Sequence, residues 1–286
     1  MKLDKNLNIL IIGLGLLGGS YAKALSRQGY KVKAITLSQE DIDYALEEKM
    51  IICGATEVEE NLVKEADLII FALYPKIFLE WIEKYGSLID EHTVVTDVTG
   101  VKGSIVADIQ GKIKAEFISA HPMAGREASG VKNSDAKIFK GANYIVVPTD
   151  KNTEKGISLC KDLGETLGFA DISELTPKKH DRMIAFLSQL THCIAVSLMC
   201  ANGDPDLVRY TGDSFRDLTR IADINDEMWS ELFLLNKNAL LSEMDAYKEA
   251  FDKLYNHIKN DEREDMREMM QLSSARRKHF GKRKSI

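Results

Sequence analysis

The stretch NILIIGLGLLGGSYAKALS, residues 8–26, decides the fold. It opens on an almost unbroken apolar run, the pattern of a strand covered on both faces. The run breaks at Gly13, Gly15 and Gly18, in G-x-G-x-x-G spacing, and continues with helical character through GGSYAKALS. A strand, a glycine turn and a helix in that order are the context this motif needs to bind a dinucleotide. Gly13 permits the tight turn, Gly15 lets the backbone approach a pyrophosphate, and Gly18 allows the helix to pack closely on the strand. The helix N-terminus at Leu16 and Leu17 adds N–H donors and partial positive charge.

Working outward, further short apolar runs follow at YKVKAIT (30–36), DLIIFAL (67–73), TVVTDV (93–98), EFISA (116–120) and NYIVV (143–147). Amphipathic stretches separate them. Strands alternating with helices predict parallel βαβ units in one α/β, Rossmann-type doubly wound sheet. From about residue 150 the texture turns helical, in EKGISLCKDLGETLG, KKHDRMIAFLSQLTHCIAVSLMCA and DEMWSELFLLNKNALLSEMDAYKEAFDKLYNHI. One more strand is possible at FADISEL (169–175). The expectation is a dinucleotide-binding domain over 1–150 and an all-α domain over 151–286, divided near Pro148–Thr153.

The 286 residues are 44% hydrophobic and 29% charged, a globular composition without low-complexity bias. A net charge of −6 argues against a general nucleic-acid binder, so an anionic ligand would need a local basic cluster. The basic end of the chain reads as a solvated helix terminus. The first apolar run is too short to span a bilayer and has no cleavage site, so a cytoplasmic protein without membrane association is expected. Cys53, Cys160, Cys193 and Cys200 show no metal spacing and read as reduced, buried thiols; no metal is expected.

Three stretches carry candidate chemistry. In ISAHPMAGREASG (118–130), His121 follows a strand, on the sheet edge where doubly wound folds bind ligands, and small residues leave space beside its ring. In HDRMIAFLSQLTHCIAVSLM (180–199), two histidines punctuate an apolar helix, where a core role competes with a binding one. In GDSFRDLTRIADINDEMW (212–229), Arg216 and Arg220 lie one turn apart with aspartates beside them. After the second strand, where an acid usually meets the ribose, the chain offers Thr36 and Ser38. No arginine stands nearby to grip a 2′-phosphate.

Together with TDVTGVKG, these stretches resemble the prephenate/arogenate dehydrogenase family over nearly the whole chain. The resemblance implies a helical domain through which two chains form a homodimer, NAD or NADP as cofactor with NAD favoured, and prephenate as a small-molecule substrate. It makes His121 the base that takes the proton of the ring hydroxyl as hydride leaves C4, with carbon dioxide lost on aromatisation. Arg220 matches the arginine that binds a substrate carboxylate, His192 the histidine at the substrate's side-chain end, and Trp229 an aromatic that in family dimers helps close the site, of its own or of the neighbouring subunit. Gly212 lies on the approach to that arginine, and Asp97 is expected on the cofactor side.

One departure matters. Where the family has D-x-G-S-V-K this chain reads DVTGVK, so Gly100 replaces a serine that contacts the catalytic histidine, and Thr99 is the candidate to supply the hydroxyl. With no added regulatory or mutase-like segment in view, a monofunctional enzyme is expected, any tyrosine inhibition arising at the active site. The alternatives are arogenate as substrate, a β-hydroxyacid or imine reductase with a helical-domain lysine, or a dinucleotide-binding regulatory module with an idle site.

Overall fold

The computed structural model describes residues 3–126 and 128–280. The chain runs β1 (Ile9–Ile12), α1 (Leu16–Ser26), β2 (Val32–Ile35), α2 (Gln39–Glu47), β3 (Cys53–Ala55), α3 (Glu60–Lys64), β4 (Leu68–Phe71), α4 (Pro75–Tyr85), β5 (Val94–Asp97), α5 (Val106–Lys112) and β6 (Glu116–Phe117). These six strands form one parallel sheet in the order β3-β2-β1-β4-β5-β6. The continuous apolarity of its central strands has a direct cause. Ile9 and Ile11 enter the core on one face while Leu10 and Ile12 enter the core on the other, and β4 alternates in the same way.

The expected strand over 116–120 divides. β6 pairs with β5, Ile118 still donates to the Val95 carbonyl at 2.9 Å, and then β7 (Ser119–Pro122) leaves to pair antiparallel with β8 (Asn143–Val147). After α6 (Glu154–Leu167), β9 (Asp171–Glu174) joins β8 in parallel, completing a second sheet of three strands. His121 therefore sits in this second sheet, opposite Ile145, and not at the end of a strand in the main one. The sheet region also runs past residue 150, because β9 pairs with β8 and α6 buries Leu159 and Leu163 in the core shared with α1.

The rest is helical: α7 (Pro177–Ile184), α8 (Leu190–Ala201), α9 (Asp213–Thr219), α10 (Asp226–Leu235), α11 (Lys237–Lys259) and α12 (Arg263–Lys278). One π-helical turn, Ala185–Gln189, joins α7 to α8. Its consequence is a register change. Twelve residues of α-helix would set His180 and His192 roughly 120° apart, whereas a π-turn absorbs one residue and brings the offset to about 20°. The final basic residues 281–286 lie outside the described residues.

Candidate active site

Gly13 turns the chain with φ +98°, a left-handed conformation that a side chain strains, and its N–H donates to the Ile35 carbonyl at 2.8 Å. A Cβ on Gly18 would lie 1.9 Å from the Gly13 oxygen, so only glycine lets α1 start against the turn. A Cβ on Gly15 would meet nothing within 4 Å, which leaves an open approach to the backbone. Gly15 is also the N-cap of α1 and supplies no side-chain bond, so no cap covers the amides of the first turn at Leu16 and Leu17. Open space beside uncapped N–H donors fits a pyrophosphate.

At the end of β2, the Ser38 hydroxyl accepts from the Asp41 N–H at 3.1 Å and caps α2. Thr36 is half-buried beside it, and Leu37 between them is 94% exposed. No arginine is close in sequence, and the nearest lysine, Lys33, pairs with Glu65, but the loop after β7 carries Lys132 onto Glu40 in an exposed ion pair. Arg126, from the same loop, pairs with Asp135 at 3.0 Å on the surface.

Asp97, expected beside the cofactor, is instead a wholly buried hub. Its Oδ1 accepts from Ser119 Oγ at 2.5 Å and the Ala120 N–H at 3.1 Å. Its Oδ2 accepts from the Thr99 N–H at 3.0 Å, the Thr99 hydroxyl and Lys102 Nζ at 2.9 Å. Both oxygens are thus committed to holding the end of β5 against β7. Thr99 is corrected in the same way: its hydroxyl serves Asp97 and accepts from Lys102 at 3.2 Å, with no bond to His121. Lys102, given no role from the sequence, spends its remaining hydrogen on the Ala120 carbonyl at 2.7 Å, next to the histidine. Burial lowers its pKa and the neighbouring Asp97 opposes that shift. The signal for Lys102 was present in DVTGVK, but no pattern in the sequence says that a lysine there is enclosed.

His121 is held from the helical half. Its Nδ1 lies 2.8 Å from His180 Nε2, and His180 Nδ1 lies 2.8 Å from Asp181 Oδ1. His180 is fully buried, and Asp181 is tied to the sheet domain by the Lys102 N–H at 2.9 Å and the Gly103 N–H at 2.7 Å. Burial is the first cause that pushes the pKa of His121 well below the usual imidazole value, with His180 and then Lys102 adding to it. His180 is lowered too, by burial, against the pull of Asp181. A histidine kept neutral at neutral pH is a competent base.

On the next helix, His192 Nδ1 donates to the Ser188 carbonyl at 2.8 Å, and the ring stacks on Trp229 of α10 with centroids 3.7 Å apart. Trp229 reaches His192 from the same chain. Gln189, beside them in sequence, is enclosed: it donates to the Leu232 carbonyl at 3.0 Å and accepts from Asn236 at 2.7 Å. Arg220 is exposed and opens the turn Arg220–Ala222, which packs on α8, the helix that carries His192. Gly212 is the exposed N-cap of α9. The structure thus unites His121 with His180 and His192 with Trp229.

The nucleotide-binding domain model of prephenate dehydrogenase matches residues 21–170, and the dimerization domain model of the same enzyme matches residues 176–272. A prephenate dehydrogenase of Bacillus subtilis is 31% identical over 268 residues, spanning 90% of this chain and 72% of that protein. The crystal structure of Aquifex aeolicus prephenate dehydrogenase with hydroxyphenyl propionate and NAD+ superposes with a TM-score of 0.90 at 29% identity, covering 98% of this chain and all of that one, 100%. Synechocystis arogenate dehydrogenase superposes with a TM-score of 0.84 at 26% identity, over 96% of this chain and 100% of that one. The glycine cradle, the enclosed histidine pair and these likenesses converge: the chain belongs to the prephenate dehydrogenase family and is a dehydrogenase dependent on NAD or NADP.

Proposed function

We propose that this enzyme oxidises prephenate to 4-hydroxyphenylpyruvate and carbon dioxide in tyrosine biosynthesis, with His121 as the base. The observation that carries the reading is His121 itself: half-buried, kept neutral by burial, and bonded through Nδ1, so that Nε2 is the nitrogen left for substrate. A nucleotide held along Gly13–Gly18 would supply the hydride acceptor in its nicotinamide. The 4-hydroxyl proton passes to His121 Nε2 while the hydrogen on C4 leaves with its electron pair and C4–O becomes a carbonyl. The ring carboxylate then departs as carbon dioxide, its bonding pair enters the ring, and the resulting phenolate takes the proton back from His121. One proton is borrowed and returned, so the base needs no net exchange with water during turnover.

Arg220 is the proposed partner for a substrate carboxylate, where a planar guanidinium gives two parallel bonds. His192 and Trp229 are proposed to bound the side-chain end. The reading with an idle site rested on Gly100, and it loses its ground because His121 has another holder, His180.

We also propose that two copies pair through the helical domain. The run Pro177–Ala201 is apolar enough to cross a bilayer by length and composition, with a mean hydropathy of 1.7, and only 28% of that window is buried. Yet His180, Asp181 and Gln189 on it bond to the rest of the protein, as a lipid-exposed span would not. A second chain is the proposed cover for it, and the cytoplasm is the proposed location.

The test is absorbance at the reduced-nicotinamide band, crossing prephenate and arogenate with NAD and NADP beside a His121→Asn control. Turnover of prephenate that the control abolishes is expected. Turnover of arogenate alone would move the substrate assignment, and nucleotide binding without turnover of either would overturn it.

A further inference from the structure

His121, His180 and Asp181 form a chain of bonds whose direction can be worked out from its far end. The Asp181 carboxylate accepts the N–H groups of Lys102 and Gly103, so toward His180 it presents only an acceptor. His180 must then carry its hydrogen on Nδ1, 2.8 Å from Asp181 Oδ1. In the neutral ring that leaves Nε2 as an acceptor, and the atom it faces at 2.8 Å is His121 Nδ1. The hydrogen in that bond can come only from His121. His121 is therefore the Nδ1–H form, and the lone pair of its Nε2 is free of any competing proton.

We propose that His180, backed by Asp181, is the positioning residue that sets the tautomer and orientation of the catalytic base, the role a serine hydroxyl at position 100 does not fill in this chain. The inference rests on His121 being the base. It explains three facts together: the hydroxyl of Thr99 is turned away to Asp97, position 100 is glycine, and the fully buried His180 keeps a carboxylate beside it. When His121 takes a proton at Nε2, its Nδ1–H bond to His180 becomes charge-assisted, and Asp181 steadies the charge through the His180 ring.

There is a structural corollary. The base belongs to β7 of the sheet domain, whereas its holder belongs to α7 of the helical domain, and Asp181 is bonded to both. The tautomer is thus imposed only while α7 is seated on the segment 102–103.

The experiment uses full-length protein labelled with 15N-histidine, the His121 signals being assigned with the His121→Asn variant. In the wild-type protein at neutral pH, His121 is expected with hydrogen on Nδ1 and a bare Nε2. In His180→Phe, which fills the space without an acceptor, the ring is expected to revert toward the Nε2–H form. In the same variant kcat should fall by about tenfold or more with KM for substrate and nucleotide within about twofold. His180→Gln, whose amide can accept from His121 and donate to Asp181, should retain the Nδ1–H form and recover much of kcat. A wild-type His121 found as Nε2–H overturns the proposal whatever the variants do. So does an unchanged tautomer in His180→Phe, or equal loss in both variants expressed through KM. The tautomer is read without substrate, so it stands or falls separately from the assignment of prephenate.

Discussion

Asp97 and Lys102 meet at 2.9 Å with both side chains wholly excluded from water. The pair joins the end of β5 to the backbone of β7 one residue before His121, through Ser119, Ala120 and the Ala120 carbonyl. A buried pair of this kind contributes little net stability over an apolar one, but breaking it strands a charge. Lys102→Met should therefore destabilise by about 3–5 kcal/mol in denaturant unfolding. The double variant Asp97→Asn/Lys102→Met removes the stranded charge and should recover part of that loss, the remainder persisting because the new amide NH2 meets the backbone N–H of either Thr99 or Ala120. A single variant as stable as the wild type would show that the charge is not stranded.

Both histidines of the pair have folded-state pKa values below that of the unfolded chain, with burial the leading cause. Below about pH 6.5 the unfolded state therefore binds more protons than the native state, and stability must fall as pH falls through that window. Catalysis has the same sign but a lower limit, because the base stays neutral below the ordinary imidazole value. The acidic limb of kcat/KM is expected below pH 6.5, while the midpoint of thermal unfolding already declines there. An acidic limb at or above the ordinary value would contradict burial as the influence that governs His121.

The glycines of the first turn should separate binding from folding. Gly15→Ala places a methyl in open space, so the protein should melt as the wild type does while the KM for nucleotide rises and that for substrate stays put. Gly18→Ala drives a methyl onto the Gly13 carbonyl and should lower stability itself. Equal melting of both variants, followed by calorimetry, would show that α1 can shift away from the turn.

Legibility in the sequence followed the range of the interaction. The turn from β1 into α1 is local, and its glycine spacing announced it. β3, only Cys53–Ala55, was too short for its pattern to show. The switch at Ile118 was hidden because β6 and β7 read as one apolar run, and which sheet a residue joins depends on partners far along the chain. The same limit applies at the site. His121 stands out beside Pro122, but His180 looks like any polar residue in an apolar helix until its ring is seen against that of His121, 59 positions away in sequence. The roles of Asp97 and Thr99 were misplaced because a carboxylate at a strand end reads as exposed, and only the converging donors show it enclosed.

The apolar face of α11 leads to the last prediction. Leu241, Met244, Tyr247, Phe251, Tyr255 and Ile258 recur at three- and four-residue spacing and are all exposed in the single chain, though each would be stabilised by leaving water. Although α11 touches α7, α8 and α12, Leu240 is its one buried residue, and among the described residues nothing covers the stripe. The dimerization domain model matches this region, which is the stated ground for a second copy as the partner. Light scattering should therefore give twice the chain mass of 32.0 kDa at micromolar concentration. Phe251→Glu, which adds a charge in the middle of the stripe, should shift the protein to the mass of one chain and lower its melting temperature. A wild-type protein that scatters as a single chain, or a Phe251→Glu variant that remains a dimer, would place the interface elsewhere on the helical domain or deny it.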